Sequence, residues 1–151
     1  MVYFSKRDGV YGCFSNFYNC LIQYKGEVYN NSEAAWQAQK CPPRCKEFRN
    51  KTGSQAKRLG RSVPLRDDWE KVKYSEMVAV LTCKFQQNPE LLKLLLSTGN
   101  EVLVEDTTGW HDNIWGRCSC SDCMGTGKVG KNLLGKALME VRDLLRNYSE
   151  G

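Results

Sequence analysis

Several features that would place a chain outside the ordinary globular class are missing from this one. No apolar run approaches the ~20 residues needed to span a bilayer, which argues against a membrane protein. No period suggests repeats and no tract is of low complexity. The opening Met-Val-Tyr-Phe-Ser-Lys-Arg lacks the basic-then-apolar order of a signal peptide, so a cytoplasmic location is expected. Histidine occurs once, at His111, and is read as a surface or core residue rather than a catalytic one. The net charge of +5 is modest and its 22 basic residues are dispersed. That favours phosphate-bearing ligands but falls short of a nucleic-acid footprint.

What is present fits one domain over residues 1–151, because domains cluster at about 100–150 residues. Such a length buries a core without disulfide staples. The eight cysteines, with no export signal, are therefore read as thiols or metal ligands.

Strand signals gather near the N-terminus, in Val2-Tyr3-Phe4, Leu21–Tyr24 and Glu27–Tyr29, with Lys25-Gly26 as a tight turn. Gly12–Asn19 reads as a loop that packs its aromatic rings inward. A helix is predicted from Asn30–Ser32 to Lys40, stopped by Pro42 and Pro43. Ser54–Leu59 is a short helix closed by Gly60. Apolar spacing at Met77, Val78, Leu81 and Phe85 predicts a helix over 75–87. Asn88-Pro89 opens a Leu-rich helix ending at Gly99, and Glu101–Glu105 is a brief strand. Lys131–Asn147 carries Leu133, Leu134, Ala137, Leu138, Val141, Leu144 and Leu145 on one face. The fold class is thus α+β, compact and mostly helical, with a few short strands. Thr107–Gly130 remains as a long polar loop, a kind that is usually functional or metal-bound.

Chemistry-bearing residues fall in two places. Glu33 stands in the first turn of its helix beside Ala34, Ala35 and Trp36, where an aromatic-lined pocket would raise a carboxyl's pKa. The same glutamate also fits a cap, Asn30-x-x-Glu33, that bonds back to the helix start. Lys40 lies two helical turns after Glu33 and so on its face. Lys57, Arg58 and Arg61 are further cations for a phosphate, and Ser54 opens a helix whose N–H groups could assist. Asp112 sits between Trp110 and Trp115, which reads either as an acid beside a base-stacking wall or as an Asx-turn between core tryptophans. Cys118-x-Cys120-x-x-Cys123 puts three thiols in six residues. Structural zinc needs four ligands, with Cys41 or Cys45 as candidates for the fourth and His111 a distant option.

Taken in order, the segments resemble the YbiA-like (NADAR) family of N-glycosidases. The carriers are Phe14-Ser15-Asn16-Phe17, Ser32-Glu33-Ala34-Ala35-Trp36-Gln37-Ala38-Gln39-Lys40, Ala56–Arg61 and Asp68-Trp69. They continue through Lys84–Asn88, Leu96–Gly99, Asp112-Asn113-Ile114-Trp115-Gly116 and Gly130–Gly135. The resemblance implies cleavage of the bond between ribose C1 and a base nitrogen, in ADP-ribosylated guanine or in a ribosylamino-pyrimidine phosphate of the riboflavin pathway. It implies Glu33 and Asp112 as the acidic positions and Lys40 as a third catalytic candidate. Lys57 and Arg61 match its basic positions, Trp69 and Trp115 its pocket aromatics, Asn16 and Asn132 its polar positions. No cofactor is implied, and Cys118, Cys120 and Cys123 are no hallmark of the family, so zinc stands apart from the resemblance. Partners would be a phosphorylated ribosyl or ADP-ribosyl substrate, including ADP-ribosylated nucleic acid, and no membrane. Two competing readings are a zinc-dependent binding module and a non-catalytic ADP-ribose reader.

Overall fold

A computed structural model describes residues 1–149, and its elements are mostly helical with four three-residue strands. By contacts the chain divides into two compact units, Met1–Ser15 with Leu94–Gly151 and Asn16–Lys93. No helix among the described residues is long and apolar enough to cross a membrane.

In the unit formed by Asn16–Lys93, β2 (Ile22–Tyr24) and β3 (Glu27–Tyr29) pair antiparallel. Lys25 (φ 49°) and Gly26 (φ 84°) both take the left-handed conformation that a two-residue hairpin of native twist requires. Alternation then buries Ile22, Tyr24 and Tyr29 on one face. Helix α1 (Ser32–Gln37) follows and tightens into a 3-10 turn over Ala38–Lys40. Its start falls at Ser32, within the expected Asn30–Ser32, but the cap lies one residue after the expected Asn30. Asn31 is the cap, its side chain accepting from the Ala34 N–H at 2.7 Å. The reciprocal capping-box position is therefore Ala34, and Glu33 stands one residue before it.

The α-helix itself ends at Gln37, short of the expected Lys40 and before the prolines are reached, and Pro42 and Pro43 instead open a run of 3-10 turns over Pro42–Phe48. Helix α2 (Gly53–Gly60) has a full capping box, with Thr52 and Gln55 bonding each other's backbone N–H groups. Gly60 does not close it in a left-handed turn as the sequence suggested. It is buried inside the helix, because a Cβ there would run into the Gln37 side chain. Helix α3 (Trp69–Gln87) begins six residues before the predicted start, and its inner face carries Met77, Val80, Leu81, Lys84 and Phe85.

Helix α4 (Pro89–Ser97) begins at the predicted proline, and Gly99 (φ 61°) turns the chain after it. In the unit of both chain ends, β1 (Val2–Phe4) pairs parallel with β4 (Leu103–Glu105), Val2 opposite Leu103. The strand is shorter than the predicted Glu101–Glu105. Gly12–Phe14 forms a 3-10 turn that buries Phe14, packed edge-on against Phe4 with ring centroids 5.7 Å apart. Helix α5 (Ser121–Met124) is one turn inside the long loop. Helix α6 (Leu133–Ser149) buries Leu134, Ala137, Leu138, Val141 and Leu145, the stripe expected from its spacing, whereas Leu144 is exposed.

The junction of α6 with its unit is built backwards from the loop. The N–H groups of Leu133 and Leu134 donate to the carbonyls of Ile114 (3.1 Å) and Trp115 (3.0 Å). These are donors a helix cannot satisfy within itself. Asn132 (φ 55°) makes the turn into the helix, and its amide spans β4, donating to Leu103 O at 2.8 Å and accepting from Glu105 N–H at 3.0 Å. Gly135 lies against that strand so closely that a Cβ would overlap the Leu103 carbonyl.

Gly135→Ala is therefore expected to cost about 1–3 kcal/mol of stability, the range for overfilling a packed contact. Gly9→Ala, which meets no atom within 4 Å, should leave the urea midpoint unchanged.

Candidate active site

Asn16–Lys93 brings together Glu33 of α1, Lys40 of the 3-10 turn after it, Lys57 and Arg61 of α2 and its C-cap, and Trp69 at the start of α3. Glu33 is 7% exposed, and its Oε1 accepts from Gln37 Nε2 at 2.8 Å. Its backbone N–H donates to Asn16 O at 3.0 Å. The Asn16 side chain faces the same helix start, with Oδ1 accepting from Ser32 Oγ at 2.8 Å. Asn16 thus sets the position of the Glu33 turn from both its backbone and its side chain.

Lys40 follows on the 3-10 turn, and its Nζ lies 5.6 Å from the Trp36 ring centroid and 6.0 Å from that of Trp69. The two indoles are tilted against one another at 5.1 Å, both buried, with Trp36 Nε1 donating to Lys73 O. This is a half-buried amine on an aromatic floor. Its burial pushes the Lys40 pKa below the usual lysine range. Glu33's negative charge opposes that shift, while the positive charges of Arg61 and Lys57 add to it. Three charged groups therefore act on Lys40 here, two cations and one carboxylate. Such a combination can hold a phosphate dianion and supply an amine that gives up its proton easily.

Three residues that sequence reasoning did not select complete this region. Gln37 donates to Glu33, yet its Oε1 is buried without a hydrogen-bond partner among the described residues. Lys84 is completely buried, with Nζ 3.4 Å from Ser32 Oγ. The signal for Lys84 was available, since it lies three residues beyond Leu81 on the apolar stripe of α3. Trp36 belongs to the family motif around Glu33, and its place under the Lys40 amine comes only from the fold.

The other unit holds Asp112, Trp115 and Asn132. Asp112 Oδ1 accepts from the N–H groups of Ile114 and Trp115, both at 2.9 Å, which is the Asx-type turn foreseen as one reading. The Asp112 carbonyl accepts from Thr107 Oγ1 at 2.6 Å. Among the described residues no donor reaches Oδ2, so one oxygen builds the turn and the other stays open. Asn132's amide is committed to β4 as described above. Trp110 lies under Lys6, whose Nζ is 5.0 Å from its ring centroid.

The loop cysteines also converge. His111 Nδ1 lies 3.3 Å from Cys118 Sγ and 3.4 Å from the sulfurs of Cys120 and Cys123. The four donor atoms all fall within 4.8 Å of one another, so this group has the composition and spacing of a metal-binding set. The fourth donor is His111, the option the sequence reading ranked distant, in place of Cys41 or Cys45. All eight cysteines are free thiols.

Comparison with known proteins covers nearly the whole chain. A family profile described as the NADAR domain matches residues 3–146. N-glycosidase YbiA of Escherichia coli is 42% identical over 140 residues, spanning 89% of this chain and 82% of that protein. An N-glycosidase of Nostoc punctiforme is 35% identical, spanning 97% and 93% of the two chains. A riboflavin biosynthesis protein of Vibrio vulnificus is 33% identical over 98% of this chain but only 39% of its own length. The NMR structure of Escherichia coli YbiA superposes with a TM-score of 0.80 and 36% identity, covering 98% of this chain and 87% of that one.

The charge balance around Lys40 has measurable consequences. Competitive acylation followed by peptide mass spectrometry should show Lys40 losing its proton at lower pH than the exposed lysines. Glu33→Gln should lower that titration further, and Arg61→Gln should raise it. An unchanged midpoint in both variants would mean that neither charge reaches the amine. Because the folded chain holds this proton less tightly than the unfolded one, Lys40 makes stability rise with pH between its lowered pKa and the ordinary lysine value.

Proposed function

The chain belongs to the NADAR family as a hydrolase acting on N-glycosyl bonds, and we propose that it cleaves the C1–N bond joining a phosphorylated ribose to a base. The observation that carries this reading is the grouping of Glu33 with Lys40, Lys57 and Arg61, an acid–amine pair with cations for a phosphate.

Breaking an N-glycosidic bond leaves C1 electron-poor and requires a proton on the departing nitrogen. Lys40 is the nucleophile of the proposal, because its depressed pKa supplies free amine at lower pH. When the ribose ring opens, its oxygen takes the C1–O electron pair and C1 becomes an iminium with the base nitrogen. The Lys40 amine adds to C1. Its proton passes through Glu33 to the base nitrogen, which leaves with the C1–N electron pair as the free base. The Schiff base on Lys40 then adds water, releasing the ribose aldehyde, which recloses, and restoring the amine. Glu33 is the proton carrier, held in place by Gln37 and the Asn16 turn. Lys57 and Arg61 take the phosphate, and Trp36 and Trp69 keep the amine dry from behind. Asp112, whose Oδ2 stays open, is proposed on the family motif alone as a further catalytic carboxylate, with Trp115 as a base-stacking face. Asn132 is proposed to contribute by holding the turn that carries them, its N–H donating to Gly116 O at 3.3 Å while its side chain anchors to β4.

Two substrates share this chemistry. The riboflavin-biosynthesis names among the relatives favour a ribosylamino-pyrimidine phosphate. Paired cations and a net charge of +5 favour the pyrophosphate of ADP-ribosyl-guanine, free or in nucleic acid.

Incubation with each substrate, read by mass spectrometry, should give free base and ribose product from at least one. Lys40→Met and Glu33→Gln should each lower turnover about 10²–10⁴-fold, the usual range for lost acid–base groups. Borohydride added during turnover should trap a reduced ribosyl adduct on Lys40. Absence of the adduct together with an active Lys40→Met variant would remove the amine route. Full activity in folded Glu33→Gln and Asp112→Asn alike would remove the carboxylates.

A further inference from the structure

We propose that His111, Cys118, Cys120 and Cys123 bind one structural zinc ion that orders the loop carrying Asp112. In a tetrahedral zinc site, Zn–S bonds of about 2.3 Å and Zn–N bonds of about 2.0–2.1 Å place neighbouring donors about 3.5–3.8 Å apart. The observed Nδ1–Sγ separations of 3.3, 3.4 and 3.4 Å approach that spacing, and all four donors lie within 4.8 Å of one another. Three thiols and an imidazole nitrogen are also the donor types zinc prefers over oxygen-seeking ions such as magnesium and calcium.

The local backbone supports a closed centre. His111 takes a left-handed conformation (φ 59°), uncommon outside glycine, and its Nδ1 faces the three thiols. Cys120 caps the single turn α5, its sulfur accepting from Cys123 N–H at 3.4 Å, so that two ligands share one turn. Cys118 is held from the other side, its N–H donating to Asn113 Oδ1 at 2.9 Å. With four protein donors no coordination position is left for substrate or water, so the ion is structural rather than catalytic.

The loop has a reason to need it. Between Thr107 and Gly130 only α5 is regular, and Met124 and Val129 are exposed rather than packed. A loop with so little core of its own gains order from a metal clip. His111 directly precedes Asp112, so the same clip fixes the turn that presents the Oδ2 of that carboxylate. Binding converts the three thiols to thiolates and releases their protons to solvent, so affinity must fall in acid. The proposal is independent of the reaction assigned above, because its measurements do not involve turnover.

Elemental analysis of the purified full-length protein should find one zinc per chain. Cobalt exchanged into it should show tetrahedral ligand-field bands together with thiolate charge-transfer bands. Cys120→Ser and His111→Ala should lose most of the bound metal, whereas Cys45→Ser should keep it. Removing zinc with a chelator should speed amide exchange across 107–130 and leave 16–93 as before. A folded wild-type chain that takes up neither zinc nor cobalt overturns the proposal, even if the variants fail to fold. So does stoichiometric zinc that survives in Cys118→Ser/Cys120→Ser, or a disulfide between two of the three thiols in protein prepared under reducing conditions.

Discussion

Everything assigned to the Asn16–Lys93 unit depends on one electrostatic compromise, a lysine amine kept half out of water beside a buried carboxylate. An ammonium on two indole rings gains some attraction from their faces but loses hydration. Lys57 and Arg61 make the charged form still less comfortable, and Glu33 is the group that offsets them. Remove the carboxylate and the amine has only like charges for neighbours. Expose it to water and the largest cause of its lowered pKa is gone. The surrounding structure is arranged to hold this balance. Asn31 caps α1, Asn16 fixes the Glu33 turn, Gln37 grips the Glu33 carboxylate, and Gly60 leaves room for Gln37.

The unit of the two chain ends is organised by a different constraint, the satisfaction of backbone groups at the start of α6. The turn Asp112–Gly116 offers carbonyls to the first N–H groups of that helix, while Asp112 itself closes the turn with one oxygen. Asn132 then ties the helix entry to β4 through both ends of its amide. A segment that would be merely a polar loop becomes a fixed platform because helix termini cannot satisfy themselves. The zinc centre proposed for the same loop would add a second anchor at His111, next to the Asp112 turn, and extend the order through Cys118, Cys120 and Cys123.

Much of the fold was legible from local pattern. The stripe of α6, the proline opening α4 and the Lys25-Gly26 hairpin all arise from short-range rules of periodicity and turn chemistry, and they hold. The errors came where a long-range partner decided. Gly60 looked like a helix terminator but is there because Gln37 occupies the space a side chain would need. The start of α3 was hidden because Trp69-Glu70-Lys71-Val72 shows no clear stripe, and the tryptophan is buried against Trp36 instead. Glu33 was ambiguous between cap and acid until the cap fell on Asn31.

By itself, then, the sequence determined the helical character, most helix positions, and a series of motifs specific enough to indicate the family and its bond type. These are properties of neighbouring residues, and neighbours in sequence remain neighbours in any fold. Only the tertiary structure decided that Glu33, Lys40, Lys57 and Arg61 act as one charge cluster, that Lys84 is buried, and that His111 joins three cysteines. Such groupings depend on where distant turns bring side chains and on how much water remains between them. Neither quantity has a period or a spacing that could be read along the chain.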